Sequence, residues 1–379
     1  MTRSIPLFKI YWDEDDVNRV TAVIKKGSYW AIGPEIAEFE KNVCDYVGVK
    51  YAVAVNSGTS ALHTLMAAHD IGKGDEVIVP AFTFIATANA PLFVGARPAF
   101  AEIEEATYGL DPKDVEKKIT KKTKAIMPIH YGGLPCRIEE LRQIARDHKI
   151  LLIEDAAGAI GASIKGKKVG SFGESAILSF CAPKVVTTGE GGMVLTNNER
   201  VYEKAKLIIN QGRADISNYL TTATPGEYVM LGYNFRMSTM TAALGLAQMS
   251  KIDDIIKMRN DNADYMIRKL ADVKQVVFPI VAEGNVHVRQ INTARIISGV
   301  KSRDELCKYL GEQGVSSRVY WSPVHLSQFY RNEFGYKEGY LPVTEKIASE
   351  VLTFPMYPTL PRDDMDYIAQ CTRDFFAKG

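Results

Sequence analysis

The chain has 379 residues, more than one hydrophobic core usually serves, so two unequal domains are expected. Apolar residues make up 46% and charged residues 24%, a globular composition that argues against disorder and against a coiled coil. Lys plus Arg (46) and Asp plus Glu (45) nearly cancel, which removes the electrostatic case for a nucleic-acid partner.

The chain opens with MTRSIPLFKIYWDEDD, which turns acidic before any apolar run develops, and no later apolar stretch is long enough to cross a bilayer. Neither export nor a membrane anchor is expected. From Tyr51 onward short β-rich runs alternate with amphipathic stretches: YAVAV, a helix from Ser60, then DEVIVP, PAFAEI, KAIMPIH and ILLIED. That rhythm predicts an α/β domain whose mostly parallel sheet is covered by helices on both faces. AILSF and GMVLTN follow as two more strands around a glycine-rich turn. Residues 1–250 are therefore assigned to a large domain. Thr239 to Leu270 carries helical periodicity and leads into a smaller α/β domain, residues 251–379, with a strand at NTARIIS, a helix over 302–313 and the closing YIAQCTRDFF.

Three segments carry chemistry. Asn56-Ser57-Gly58-Thr59-Ser60-Ala61 lies between a strand and a helix, where free N–H groups, small hydroxyls and the helix dipole favour an anion such as phosphate. A simple Ser/Thr cap would satisfy the same pattern. No Walker lysine or dinucleotide-type glycine triplet accompanies it, which disfavours ATP and NAD. Asp155, in IEDAA, ends an apolar strand where parallel sheets place ligands, and reads either as a cap or as the partner of a buried cation. Lys184 sits between the strand AILSF, Pro183 and GEGG, a setting that can turn a long side chain inward as an imine-forming amine. The five cysteines and six histidines show no ligand spacing, so no metal site or disulfide framework is expected and a cytoplasmic location fits.

In order and spacing, Gly-Pro at 33–34, NSGTSAL, VPAFTFIATANA, EDAAGAIGA, SFCAPKVVTTGEGG, GYNFRM and YWSPVHL resemble the DegT/DnrJ/EryC1/StrS family of sugar aminotransferases, of fold type I, over essentially the whole chain. The resemblance implies pyridoxal 5'-phosphate as cofactor, with pyridoxamine 5'-phosphate formed in turnover. Lys184 would hold it as a Schiff base and move protons, and Asp155 would keep the pyridine nitrogen protonated. Gly58, Thr59 and Ser179 would hold the phosphate, and Phe84 would stack on the ring unless it is only a core aromatic. Asn234 would reach the phosphate of a neighbouring subunit, which implies a homodimer with shared sites. His325 would approach the substrate, and Arg236 would support the same loop as Asn234, meet an acidic substrate or form a structural ion pair. The stretch 217–233 and the surroundings of His325 would line the substrate side.

The implied reaction moves an amino group from glutamate or glutamine to a keto sugar, nucleotide-linked in the expected case. Relatives that dehydrate sugars carry histidine in place of the lysine, so Lys184 argues against that branch, although an eliminating enzyme of the same fold stays an alternative. A cofactor-binding regulator would need a DNA-reading appendage, and none is evident. One departure stands out: where family members commonly carry Gln, His or Glu, this chain has Gly158, and the usual side-chain partner of the cofactor's 3-hydroxyl is missing.

Overall fold

The computed structural model describes residues 3–214, 226–298 and 300–377. Its main sheet has seven strands: β1 (Tyr51–Val55), β2 (Glu76–Pro80), β3 (Arg97–Ala101), β4 (Thr123–Ile126), β5 (Leu151–Asp155), β6 (Ser175–Ser179) and β7 (Gly192–Thr196). Their spatial order is β1-β7-β6-β5-β4-β2-β3. The pairs from β6 across to β3 are parallel, while β7 is reversed and pairs antiparallel with both β6 and β1. The strands read as continuous apolar runs because alternate side chains enter different cores. Ala52, Ala54, Ile78, Leu152 and Leu178 face one cluster, and Val53, Val55, Val77, Ile153 and Ile177 face the other.

On the first face, helix Pro34–Val47 starts with proline at its first turn and places Phe39 in the core with no exposed surface. The Phe39 ring lies 5.1 Å from that of Phe180, the first residue after β6. Helical packing thus reaches the base of the loop that carries Lys184.

A smaller antiparallel sheet joins Val276–Val277, Asn292–Ile296 and Val351–Phe354. Leu306, Leu310, Met365, Ile368 and the N-terminal Ile5 close a separate core around it. Helix Ile252–Lys269 connects the two, with Ile252, Ile255 and Ile256 in the large-sheet core and Met266 in the smaller one.

The periodic stretch expected as one helix over 239–270 is two, Thr239–Met249 and Ile252–Lys269. The break follows from a tertiary ion pair: buried Lys251 reaches Asp13 at 2.5 Å and Asp16 at 2.7 Å, and its backbone leaves the helical region at φ −119°, ψ 14°. The helix expected from Ser60 begins at Gly58, because the Ser57 oxygen accepts the Ser60 N–H at 3.0 Å and caps it. Among the described residues no helix is long and apolar enough to cross a membrane.

Phe39→Ala is expected to cost about 3–5 kcal/mol in denaturant unfolding, the range for emptying an aromatic site in a packed core. Phe93→Ala, at a position 43% exposed, is expected to cost much less in the same measurement.

Candidate active site

Three chain reversals bring the predicted residues together at one end of the main sheet. The turn after β1 starts helix Gly58–Ala68, and the N–H groups of Gly58 and Thr59 fall in the first turn, where no partner exists within the helix. Two close approaches fix this turn. A Cβ on Gly58 would lie 2.9 Å from the Ser179 Cβ, and one on Gly192 would lie 2.4 Å from the Ser57 carbonyl oxygen. Only glycine lets the ends of β6 and β7 press against the turn so closely.

Lys184 lies on the loop 180–191 between antiparallel β6 and β7. The loop is tied internally: the Phe180 and Thr188 N–H groups donate to Gly191 and Phe180 carbonyls at 2.9 and 2.8 Å, and the Lys184 N–H donates to Cys181 at 3.0 Å. A loop anchored on its own strand ends holds its lysine over the sheet edge instead of releasing it to solvent.

Asp155 ends β5 and is 6% exposed. Its Oδ2 accepts from the Thr87 hydroxyl at 2.7 Å, its Oδ1 accepts from the Ala157 N–H at 3.1 Å, and Thr87 is in turn 2.7 Å from the Thr83 hydroxyl. Burial pushes this carboxyl above its ordinary value of 3.8, against the lowering by Thr87, by the Ala157 N–H and by Lys184. A carboxylate so placed is short of positive charge.

A cavity of about 440 Å³ joins these groups. Gly58, Thr59, Phe84, Asp155, Ser179 and Lys184 all line it. Phe84 caps helix Ile85–Phe93 and is 54% exposed, with its ring 5.3 Å from that of Trp321. The facing wall consists of Gln290, Ile291, Arg318, Tyr320 and Trp321. None of these five was singled out from sequence. Tyr320 and Trp321 belong to the YWSPVHL motif, which could have signalled them, whereas Gln290 and Arg318 sit in segments with no local pattern. The Arg318 guanidinium lies 4.9 Å over the Tyr320 ring, and the backbone of Arg318 pairs with Thr353 of the smaller sheet.

Three predicted residues lie off this cavity. Asn234 is exposed, and its segment is tied beside the Ser57 turn: Asn56 donates its N–H to the Phe235 carbonyl at 2.8 Å and its side-chain amide to the Asn234 carbonyl at 3.4 Å. Arg236 donates to Asn210 and Gln211 side chains at 2.8 and 2.9 Å and borders a separate cavity of about 200 Å³. His325 has no exposed surface and pairs with Glu345 at 3.0 Å, and burial keeps its pKa below the ordinary value despite that carboxylate. Of the stretch 217–233, residues 217–225 lie outside the described residues. No group of three or more His, Cys, Asp or Glu side chains among the described residues could hold a metal ion.

Residues 11–373 match the family model described as the DegT/DnrJ/EryC1/StrS aminotransferase family. The chain is 38% identical to a GDP-perosamine synthase of Caulobacter vibrioides over 340 residues, 89% of each chain. It is 32% identical to the spore coat polysaccharide biosynthesis protein SpsC of Bacillus subtilis, over 98% of this chain and 96% of that one. Among solved structures it resembles PseC of Helicobacter pylori, an aminotransferase involved in pseudaminic acid biosynthesis, with TM-score 0.93, 26% identity and full coverage of both chains.

The raised pKa of Asp155 sets a stability test with a defined sign. Below about 3.8 the carboxyl is protonated in folded and unfolded chains alike, and no penalty arises. The penalty grows as pH rises toward the raised folded value and is complete above it. Asp155→Asn is therefore expected to raise the melting temperature of the cofactor-free protein at neutral pH, with the gain vanishing on acidification, as calorimetry across pH would show.

Proposed function

The chain belongs to the DegT/DnrJ/EryC1/StrS aminotransferase family and is a pyridoxal-phosphate-dependent sugar aminotransferase of amino-sugar biosynthesis; on that premise we propose that the cavity between Lys184 and Trp321 receives the cofactor and that Lys184 carries it covalently. The observation that carries this reading is the convergence of an amine, a buried carboxylate and a helix N-terminus on one cavity. The donor set fits the group: N–H groups and hydroxyls suit a phosphate, Asp155 suits a protonated ring nitrogen, and the exposed Phe84 offers a flat wall.

When bound, the cofactor supplies an electron sink for the carbon that loses its proton. The Lys184 amine would then be free to act as base and acid, taking the proton from the donor's carbon and delivering it to the carbon on the other side of the nitrogen. Asp155 holds the ring nitrogen in its protonated state, which a neutral partner would not do. Gly58, Thr59 and Ser179 bind the phosphate. Asn234, exposed beside the same turn, reaches the phosphate of a second copy, so the working unit is a homodimer with shared sites.

Glutamate is proposed as the donor, with its carboxylate at Arg318, because Arg318 and Lys184 are the basic side chains of this cavity. The acceptor is a keto sugar, and a nucleotide-linked form is supported by the relative named GDP-perosamine synthase. In this reading His325 and Arg236 brace the structure and do not touch substrate. All five cysteines are free, in keeping with the cytoplasm.

Lys184→Ala is expected to abolish borohydride fixation of the cofactor and to lower amino transfer by about a hundredfold or more, with the melting curve retained. Transfer of glutamate nitrogen to the sugar, measured by mass, separates this activity from elimination, which would release ammonia instead. Arg318→Ala is expected to raise KM for glutamate about tenfold while kcat falls less. An unchanged KM would place the donor carboxylate elsewhere.

A further inference from the structure

Resting on the cofactor assignment above, we propose that Gln290 stands in for the side chain that is absent at Gly158, contacting the ring edge that carries the 3-hydroxyl and positioning the Lys184 loop.

The space over Gly158 is already taken. A Cβ placed there would lie 3.1 Å from the Gln290 Oε1 and 3.8 Å from the Lys184 Nζ. The carboxamide arrives from a segment more than 130 positions away, and its Nε2 donates to the carbonyl of Pro183, next to Lys184, at 3.1 Å. One N–H and the carbonyl oxygen of the amide are left for a further partner.

The segment that delivers it is built, not incidental. The Gln290 N–H donates to the Gly132 carbonyl at 3.0 Å, and Val288 donates to Gly133 at 3.1 Å. Arg259, 3% exposed, donates to the carbonyls of Arg289 and Gln290 at 3.2 and 3.4 Å. The same turn is bound to the catalytic strand, for the His130 N–H donates to the Asp155 carbonyl at 3.4 Å.

Position along the ring follows from the cofactor's own chemistry. The ring carbon that bears the aldehyde group taken by lysine lies between the carbon bearing the 3-hydroxyl and the carbon bearing the phosphate arm. Beyond Asp155 the cavity continues into an extension of about 50 Å³ lined by Asp155, Gly158, Lys184, His130, Gln290 and Trp321. Ser57, Gly58, Thr59 and Ser179 do not border it, so it lies away from the phosphate turn and receives the hydroxyl edge. Apart from the Trp321 indole, its other polar side chains are committed elsewhere. Thr83 bonds Thr87, Thr87 bonds Asp155, His130 bonds Glu154 and the Cys136 N–H, and Tyr131 donates to the Tyr320 carbonyl.

The test is spectroscopic and thermodynamic. Gln290→Leu keeps the bulk and removes the polar contact. It is expected to weaken pyridoxal phosphate binding about tenfold, as loss of a hydrogen bond to a charged group commands. It should also displace the pH at which the visible band of the lysine-bound cofactor titrates, downward if Oε1 accepts from the hydroxyl and upward if the N–H donates to its anion. Gly158→Ala, whose methyl crowds Oε1 without deleting the amide, should move the same titration by less. Gly158→Gln in the Gln290→Ala background should restore both affinity and titration. If Gln290→Leu leaves affinity and titration unchanged, or the double variant rescues neither, the role of Gln290 falls while the cofactor assignment stands. Borohydride labelling separates the two: wild-type protein not labelled at Lys184 overturns the assignment and this inference together.

Discussion

Reversal of β7 inside an otherwise parallel sheet fixes where Lys184 can be. A parallel connection from β6 would carry the chain across a sheet face through a helix, as it does after β1, β2 and β4. The antiparallel neighbour instead returns it at once, leaving the loop 180–191 above the same edge that presents Asp155 and the Ser57 turn. Gly58 and Gly192 let the three segments meet at backbone distance. The remaining features of the site, the buried carboxylate, the helix N-terminus and the exposed Phe84, are arranged around that fixed amine.

Electrostatics then sharpens what sterics arranges. Asp155 is held by one hydroxyl and one N–H, which is thin support for a carboxylate with 6% of its surface exposed. The hydroxyl of Thr87 points its hydrogen at Asp155, so Thr83 is the donor in the Thr83–Thr87 bond, and the chain of hydroxyls has a single polarity. A buried anion with so few partners favours a cationic ligand at the cavity floor.

Much of this was legible in the sequence for a physical reason: the chemistry-bearing wall is made of contiguous strand–turn units, whose apolar runs and punctuating Ser, Gly and Pro residues are local signals. Gly58, Thr59, Phe84, Asp155, Ser179 and Lys184 all come from such units. The opposite wall was illegible at Gln290 and Arg318, which gain meaning only from what they face. Gly158 announced that something was missing, yet the carboxamide filling its place lies more than 130 positions downstream. The break at Lys251 was hidden for the same reason, since it answers to Asp13 and Asp16 at the other end of the chain. His325 and Arg236 stood in recognisable motifs, and their motifs describe packing as readily as contact with a ligand.

Helix Ile252–Lys269 contributes to two cores, with Ile252, Ile255 and Ile256 in one and Met266 in the other. The amine, the carboxylate and the Ser57 turn are anchored in the first, whereas Arg318 is paired to the sheet of the second. Such a division is a partial modularity: on the proposed reading, changes around Arg318 alter what the cavity accepts, while Gln290 ties the same wall to the loop that carries Lys184.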